Sequence, residues 1–309
     1  MHTQESKWQY FLFSFVCILG IRYASTNYST LSPELMLDVC QTVDQPNPIA
    51  SLYPMNATGT LNGTVAVIPI SLKLARKLIP AQYGILEHAY RDLLPDFPEG
   101  MYPAIFQALH DHEVQAFGYQ IPDFTRTGIE FPFVDLLGDN STSFKWAPSL
   151  LMTADHEIAL KGALDYGTNV YPSTFSPACD AYSPVPDAKV PGTTFFSAQS
   201  TASDSSAAAI TSLFAPTLES AFPLSFYVNF TNQPTFADGK TCDNMIRLFN
   251  TSVTVAPNRI ESVVGTVRAR IFPFGAQQQE WRGVHGLRMD TAFIENNYLP
   301  CESFRGYGA

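Results

Sequence analysis

Eight runs of β-branched and aromatic residues, each bounded by Gly, Pro, Asn or Asp, confine this 309-residue chain to a mainly β architecture. They are Thr64–Ile70, Tyr102–Leu109, Val114–Gln120, Gly128–Leu136, Phe144–Met152, Leu224–Thr231, Met245–Val255 and Ser262–Phe272. Helices are few. Ser71 reads as the N-cap of a helix over Leu72–Ile79, where Leu72, Ala75, Leu78 and Ile79 share a face and Pro80 ends the run. Gln82–Leu93 reads as a second helix. Ser197–Ser212 is small and polar and reads as a surface loop. The pattern predicts an antiparallel sheet or barrel with flanking helices, a mainly β (α+β) class, and not a doubly wound α/β sheet.

The compartment is written separately. An apolar stretch over Trp8–Ile21 follows Lys7 and precedes Tyr23-Ala24-Ser25. At about 14 residues it falls short of the ~20 that cross a bilayer but suits the core of a signal peptide. Cleavage near Ser25 would leave one domain over residues 26–309; the alternative is an uncleaved anchor flanked by Arg22. Asn-x-Ser/Thr sequons at Asn27, Asn56, Asn62, Asn140, Asn229 and Asn250 also point to the secretory lumen or the exterior. With Cys17 in the leader, Cys40, Cys179, Cys242 and Cys301 form an even set with three possible pairings. The preferred one is Cys40–Cys301 with Cys179–Cys242.

A net charge of -10 argues against nucleic acid or an anionic membrane as partner. Hydrophobic content of 46% with 23 Phe and 14 Tyr supplies both a large core and an apolar pocket. No nucleophile elbow, P-loop, dinucleotide fingerprint or zincin motif occurs, so no cofactor is expected. His110-Asp111-His112-Glu113 could place two imidazoles on one strand face, but four polar residues between two strands read more simply as a hairpin turn, and no metal is expected. His156 and His285 stand alone. Glu130 and Asp135, five apart, fall on opposite faces of a regular strand and would cooperate only across a bulge. Asp139 reads as a turn residue. Arg126 is a candidate anion clamp, with a surface salt bridge as the alternative.

The segment from Gly128 to Asn169, with Ala104–Asp111 (AIFQALHD), Ser71–Pro80 (SLKLARKLIP) and Gly283–Ile294 (GVHGLRMDTAFI), resembles the acetoacetate decarboxylase-like superfamily, and more particularly fungal decarboxylases of polyketide toxin pathways. The resemblance implies a cone-shaped antiparallel β-barrel with an apolar interior pocket. It also implies a β-keto acid substrate and a lysine that forms a Schiff base, its amine held neutral by burial and a neighbouring cation. The family's lysine position falls on Asn169, or on Thr168 with one gap, and neither can form an imine. Lys161 and Lys145 are the candidates for a relocated amine. On a strand starting at Glu157, Lys161 would point away from the apolar face.

The resulting expectation is a carboxy-lyase acting on a β-keto acid or polyketide-derived intermediate, without the family's lysine. Asn169 or Tyr166 would donate a hydrogen bond to the developing enolate, Arg126 and Glu130 would bind substrate, and Lys161 would be the fallback nucleophile. A cyclase or dehydratase on the same fold, or a non-catalytic secreted barrel for an apolar metabolite, are the alternatives.

Overall fold

In the computed structural model the described residues are 45–203 and 207–308. The leader, Cys17, Asn27 and Cys40 lie outside them. The described chain begins its regular structure with β1 (Ala57–Ser71), then α1 (Leu72–Leu78), a two-residue β2 (Gly84–Ile85), α2 (Glu87–Leu93) and β3 (Met101–Ala116). A short β4 (Tyr119–Ile121) leads into β5 (Phe124–Asp135), β6 (Phe144–Trp146) and β7 (Ser149–Thr153). After α3 (Glu157–Asp165) come β8 (Asn169–Ser176), β9 (Ser183–Pro184), β10 (Thr194–Ser200) and β11 (Ala209–Pro216). Finally α4 (Leu224–Thr231) precedes β12 (Thr235–Phe236), β13 (Cys242–Leu248), β14 (Glu261–Arg270) and the long β15 (Gln279–Leu299).

Hydrogen bonding runs β5-β7-β8-β10-β11-β14-β15-β1-β3, and because β3 also pairs with β5 the path returns to its start. A second route, β5-β6-β12-β13-β15, spans the circuit. Closure removes free edges and gives the strands on each circuit a shared inward face. The mainly β class is as expected, but the sheet is mixed and not purely antiparallel: β7–β8 and β6–β12 run parallel. Neighbouring parallel strands need a crossover, and α3 is the one that joins β7 to β8. That requirement overrides the expected strand beginning at Glu157. His156 caps this helix: its Nδ1 accepts from Ala159 N–H at 3.1 Å, and its Nε2 contacts the Pro122 carbonyl at 2.7 Å.

Three further segments differ from their sequence reading. His110–Glu113 is not a turn, because β3 runs unbroken between β1 and β5. His110 and His112 are fully buried there, with Nδ1 atoms 2.9 Å from Thr125 Oγ1 and 2.8 Å from Thr60 Oγ1. Leu224–Thr231 is helical despite its β-branched and aromatic content. Phe226, Tyr227, Phe230 and Thr231 are its buried residues, a helical spacing that packs the helix on the aromatic core beside Phe133. Within Ser197–Ser212, residues 197–200 complete β10 and 209–212 begin β11, so much of the expected loop is strand.

Other readings match the described structure. Ser71 Oγ accepts from Leu74 N–H at 3.1 Å and α1 ends before Pro80. The second helix is shorter than read, Glu87–Leu93. Asp139 holds a turn by accepting from Ser141 and Thr142 N–H groups at 2.9 and 2.8 Å, and these bonds depress its carboxyl well below the usual range.

The preferred cysteine pairing is corrected: Cys242 is bonded to Cys301. The register of β13 against β15, which sets Cys242 opposite Leu299, delivers Cys301 to it. Cys179 is also disulfide-bonded. Among the sequons, Asn140 and Asn250 are exposed, whereas Asn56, Asn62 and Asn229 are half-buried. Among the described residues no helix is long and apolar enough to cross a membrane.

Two strands approach so closely at Gly63 that an added Cβ would sit 2.1 Å from the Ala108 carbonyl oxygen. Backbone cannot yield there as a flexible side-chain tip can. We expect Gly63→Ala to cost at least the upper end of the ~1–3 kcal/mol typical of overpacking, measured by urea unfolding. Gly162→Ala, whose Cβ would meet nothing within 4 Å, is expected to fold normally.

Candidate functional site

A cavity of about 420 Å³ lies within the circuit formed by β3, β5, β6, β13 and β15, with α3 along one side. Its polar walls follow the two-residue period of the strands. Gln107 and Asp111 come from β3, Arg126 and Glu130 from β5, Asp243 and Arg247 from β13, and Glu295 from β15. Even separations put each strand's contribution on one face. Lys145 enters from β6. Thr235 on β12 is in register with Lys145 on one side and Asp243 on the other. The two backbones are thus two strand spacings, ~10 Å, apart, and both side chains line the space between them.

The charges are not equivalent. Arg126 Nε donates to Asp111 Oδ2 at 2.8 Å, and this pair holds the guanidinium well above its ordinary value against the cost of burial. Arg247, 4% exposed, has no such partner: among the described residues its side chain donates to Gln107 Oε1, and its Nε is buried without a bond. Burial, reinforced by Arg126 nearby, lowers it to about 10. Lys145 is 5% exposed; its Nζ donates to the Thr231 carbonyl at 3.1 Å and lies 3.5 Å from Glu130 Oε2. Burial lowers its pKa, Glu130 opposes the shift, and the Arg247 cation adds to it. Asp243 and Glu295 form a carboxyl pair. Burial and mutual repulsion raise Asp243 far above the carboxylate range, so the pair retains a proton that an isolated carboxyl would lose.

Of the residues singled out from sequence, Arg126, Glu130, Lys145, Lys161 and Tyr166 line the cavity, and Asn169 does not. Asn169 opens β8, exposed, with its side chain donating to the Pro148 carbonyl at 2.9 Å. Thr168 lines the cavity wall, donating to the Ala147 carbonyl at 3.3 Å. Lys161 lies on the helical rim with a side chain 74% exposed, and its Nζ is bonded to both Asp165 oxygens at 2.8 and 2.6 Å. Helical geometry, not strand alternation, fixes that position. Tyr166 caps α3; its hydroxyl donates to Asn297 Oδ1 at 3.1 Å and accepts from Tyr298 N–H at 2.8 Å. Asp135 turns away from Glu130 to bind the Asp139 and Asn140 amides, after a bulge at Phe133 with φ +60.

Gln107, Asp111, Asp243, Arg247 and Glu295 were missed as site residues. For Arg247 and Glu295 the signal was a charged residue inside an apolar strand, as in MIRLF and AFIEN, whereas Asp111 was read as part of the His110–Glu113 cluster. Among the described residues no group of three or more His, Cys, Asp or Glu could hold a metal ion.

The two arginines therefore differ in what their loss exposes. Arg126→Met leaves Asp111 buried and unpaired and is expected to cost about 3–5 kcal/mol in denaturant unfolding. Arg247→Met removes a buried cation that makes no ion pair among the described residues, and its cost is expected to stay within about 1 kcal/mol.

No family model and no curated protein matches the chain. Among solved structures, the enduracididine biosynthesis enzyme MppR complexed with pyruvate is similar at 11% identity and a TM-score of 0.44, over 79% of this chain and 90% of that one. The same enzyme complexed with the condensation product of pyruvate and imidazole 4-carboxaldehyde gives 10% and 0.42, over 80% and 91%. An acetoacetate decarboxylase-like enzyme from Sphingomonas wittichii RW1 gives 7% and 0.39, over 79% and 94%.

Proposed function

We propose that this chain is a carboxy-lyase for β-keto acids, acting in the secretory pathway or outside the cell, with Lys145 as its reactive amine. A polyketide-derived β-keto acid is the substrate class that the sequence resemblance favours. The observation that carries the reading is a lysine buried in a cavity wall, its pKa lowered by burial and by a second cation, Arg247. That is the environment an amine needs in order to be nucleophilic near neutral pH.

The steps follow from the groups present. Arg247 binds the substrate carboxylate through its Nε, which makes no hydrogen bond within the described residues. Glu130, 3.5 Å from Lys145 Nζ, takes a proton from the ammonium. The neutral amine adds to the ketone, Glu130 returns its proton to the carbinolamine hydroxyl so that it leaves as water, and the resulting iminium draws in the electron pair of the breaking carbon–carboxylate bond. Carbon dioxide departs and an enamine remains. Asp243, protonated beside Glu295, delivers a proton to the enamine carbon, and water then hydrolyses the imine. Tyr166 and Lys161 stand at the rim, each already bonded within the protein, and take no chemical step in this reading.

Incubation with acetoacetate and borohydride is expected to add a reduced adduct to Lys145, located by peptide mass spectrometry. Lys145→Met should abolish both the adduct and carbon dioxide release. Release without an adduct would restore decarboxylation without an imine; neither signal would leave a binding barrel. The pH profile carries its own sign. Activity should rise with pH as Lys145 deprotonates, with a midpoint below the ordinary lysine value because its pKa is lowered. It should fall again as the Asp243–Glu295 pair loses its proton, at a pH above the ordinary carboxylate range.

A further inference from the structure

The cavity is divided by polarity. Lys145, Glu130, Gln107 and Arg247 form a buried polar group, each no more than 6% exposed, and a separate set of lining residues is apolar. On one wall stand Val114, Ala116, Ile121 and Phe124 from β3, β4 and β5. Opposite them α3 contributes Ala159, Gly162 and Ala163, at i, i+3 and i+4, together with Ile158, which is 59% exposed. Small residues on that helical face leave room between helix and sheet. Gly162 marks the gap directly: it lines the cavity, yet a Cβ built on it meets nothing within 4 Å. α3 lies against β7 and β8 yet buries none of its own residues fully. Lys161 and Asp165 satisfy each other at the rim and leave no charge there for a polar substrate to read.

A volume of about 420 Å³ lies within the ~300–1,000 Å³ range of sites for drug-sized ligands. Acetoacetate would leave most of it unfilled. We infer that the substrate is amphipathic: its carboxylate and ketone lie among Arg247 and Lys145, and an extended apolar chain on the ketone side runs out between α3 and the β3–β5 wall. The inference rests on the carboxy-lyase reading for the identity of the polar head. Its evidence for the tail is independent: the small face of α3, the open space at Gly162 and the apolar wall opposite. Burial of each methylene along that channel is favourable, so affinity should climb with chain length.

The test compares acetoacetate, 3-oxooctanoate and 3-oxododecanoate with the full secreted protein and with Gly162→Phe, which places a ring in the channel. Leaving glycine removes a poor helix former, so the variant is expected to keep α3 folded. We expect kcat/KM to rise at least tenfold from acetoacetate to the longer acids, and Gly162→Phe to lower that ratio at least tenfold. Equal or better turnover of acetoacetate in both proteins would overturn the tail while leaving the carboxy-lyase reading intact. Failure to turn over any of the acids would sink the reading instead. In that event calorimetric titration with dodecanoate decides the tail: binding that Gly162→Phe weakens tenfold supports it, and no binding, or binding indifferent to the variant, overturns it.

Discussion

A sheet whose hydrogen-bonded path closes on itself makes all its inward-facing side chains share one enclosed space. Here β3 supplies the closure by pairing with β1 on one side and β5 on the other. A charge at an inward position on any of these strands is then removed from bulk water and must find a partner within the ring. Asp111 and Arg126 sit diagonally across β3 and β5, where Arg126 is in register with Leu109, and answer that demand as an ion pair. Arg247, on the spanning strand β13, makes no ion pair among the described residues and donates instead to the Gln107 amide oxygen. The residual electrostatic imbalance of the interior is therefore localised, and the site's chemistry is concentrated around it.

The same enclosure sets protonation. Burial alone disfavours the charged form of lysine and carboxylate alike, moving Lys145 down and Asp243 up, so that amine and acid approach each other in strength. Lys161, by contrast, is exposed on the helical rim and ion-paired to Asp165 four residues on. The contrast separates a lysine buried in the cavity wall from one that tethers a helix turn. Sequence distance from the family's motif could not make this distinction.

Much of the fold was legible in local chemistry. β-Branched runs marked most of the strands, Ser71 and Pro80 bounded α1, and Asp139 marked its turn, because each acts through neighbours within a few residues. The site was legible in part. Arg126 and Glu130 were singled out by type and reach the cavity; Asn169, singled out by alignment to the family's lysine position, opens β8 with its side chain on Pro148. Lys145 was visible as a charge between Phe144 and Trp146, but nothing local distinguished it from Lys161.

The sequence by itself determined the β class, the leader-like stretch, the sequons and the even set of cysteines outside it, all properties of composition and short-range pattern. Only the tertiary structure decided which cysteines meet, since the register of β13 on β15 brings Cys242 to Cys301. It also decided that residues after Asp155 must be helical, because β7 and β8 run parallel and need a crossover. Assembly of the cavity belongs to the same level. Gln107, Lys145 and Arg247 stand far apart in the chain, and their common inward face exists only once strand closure has fixed which side of each strand is inside.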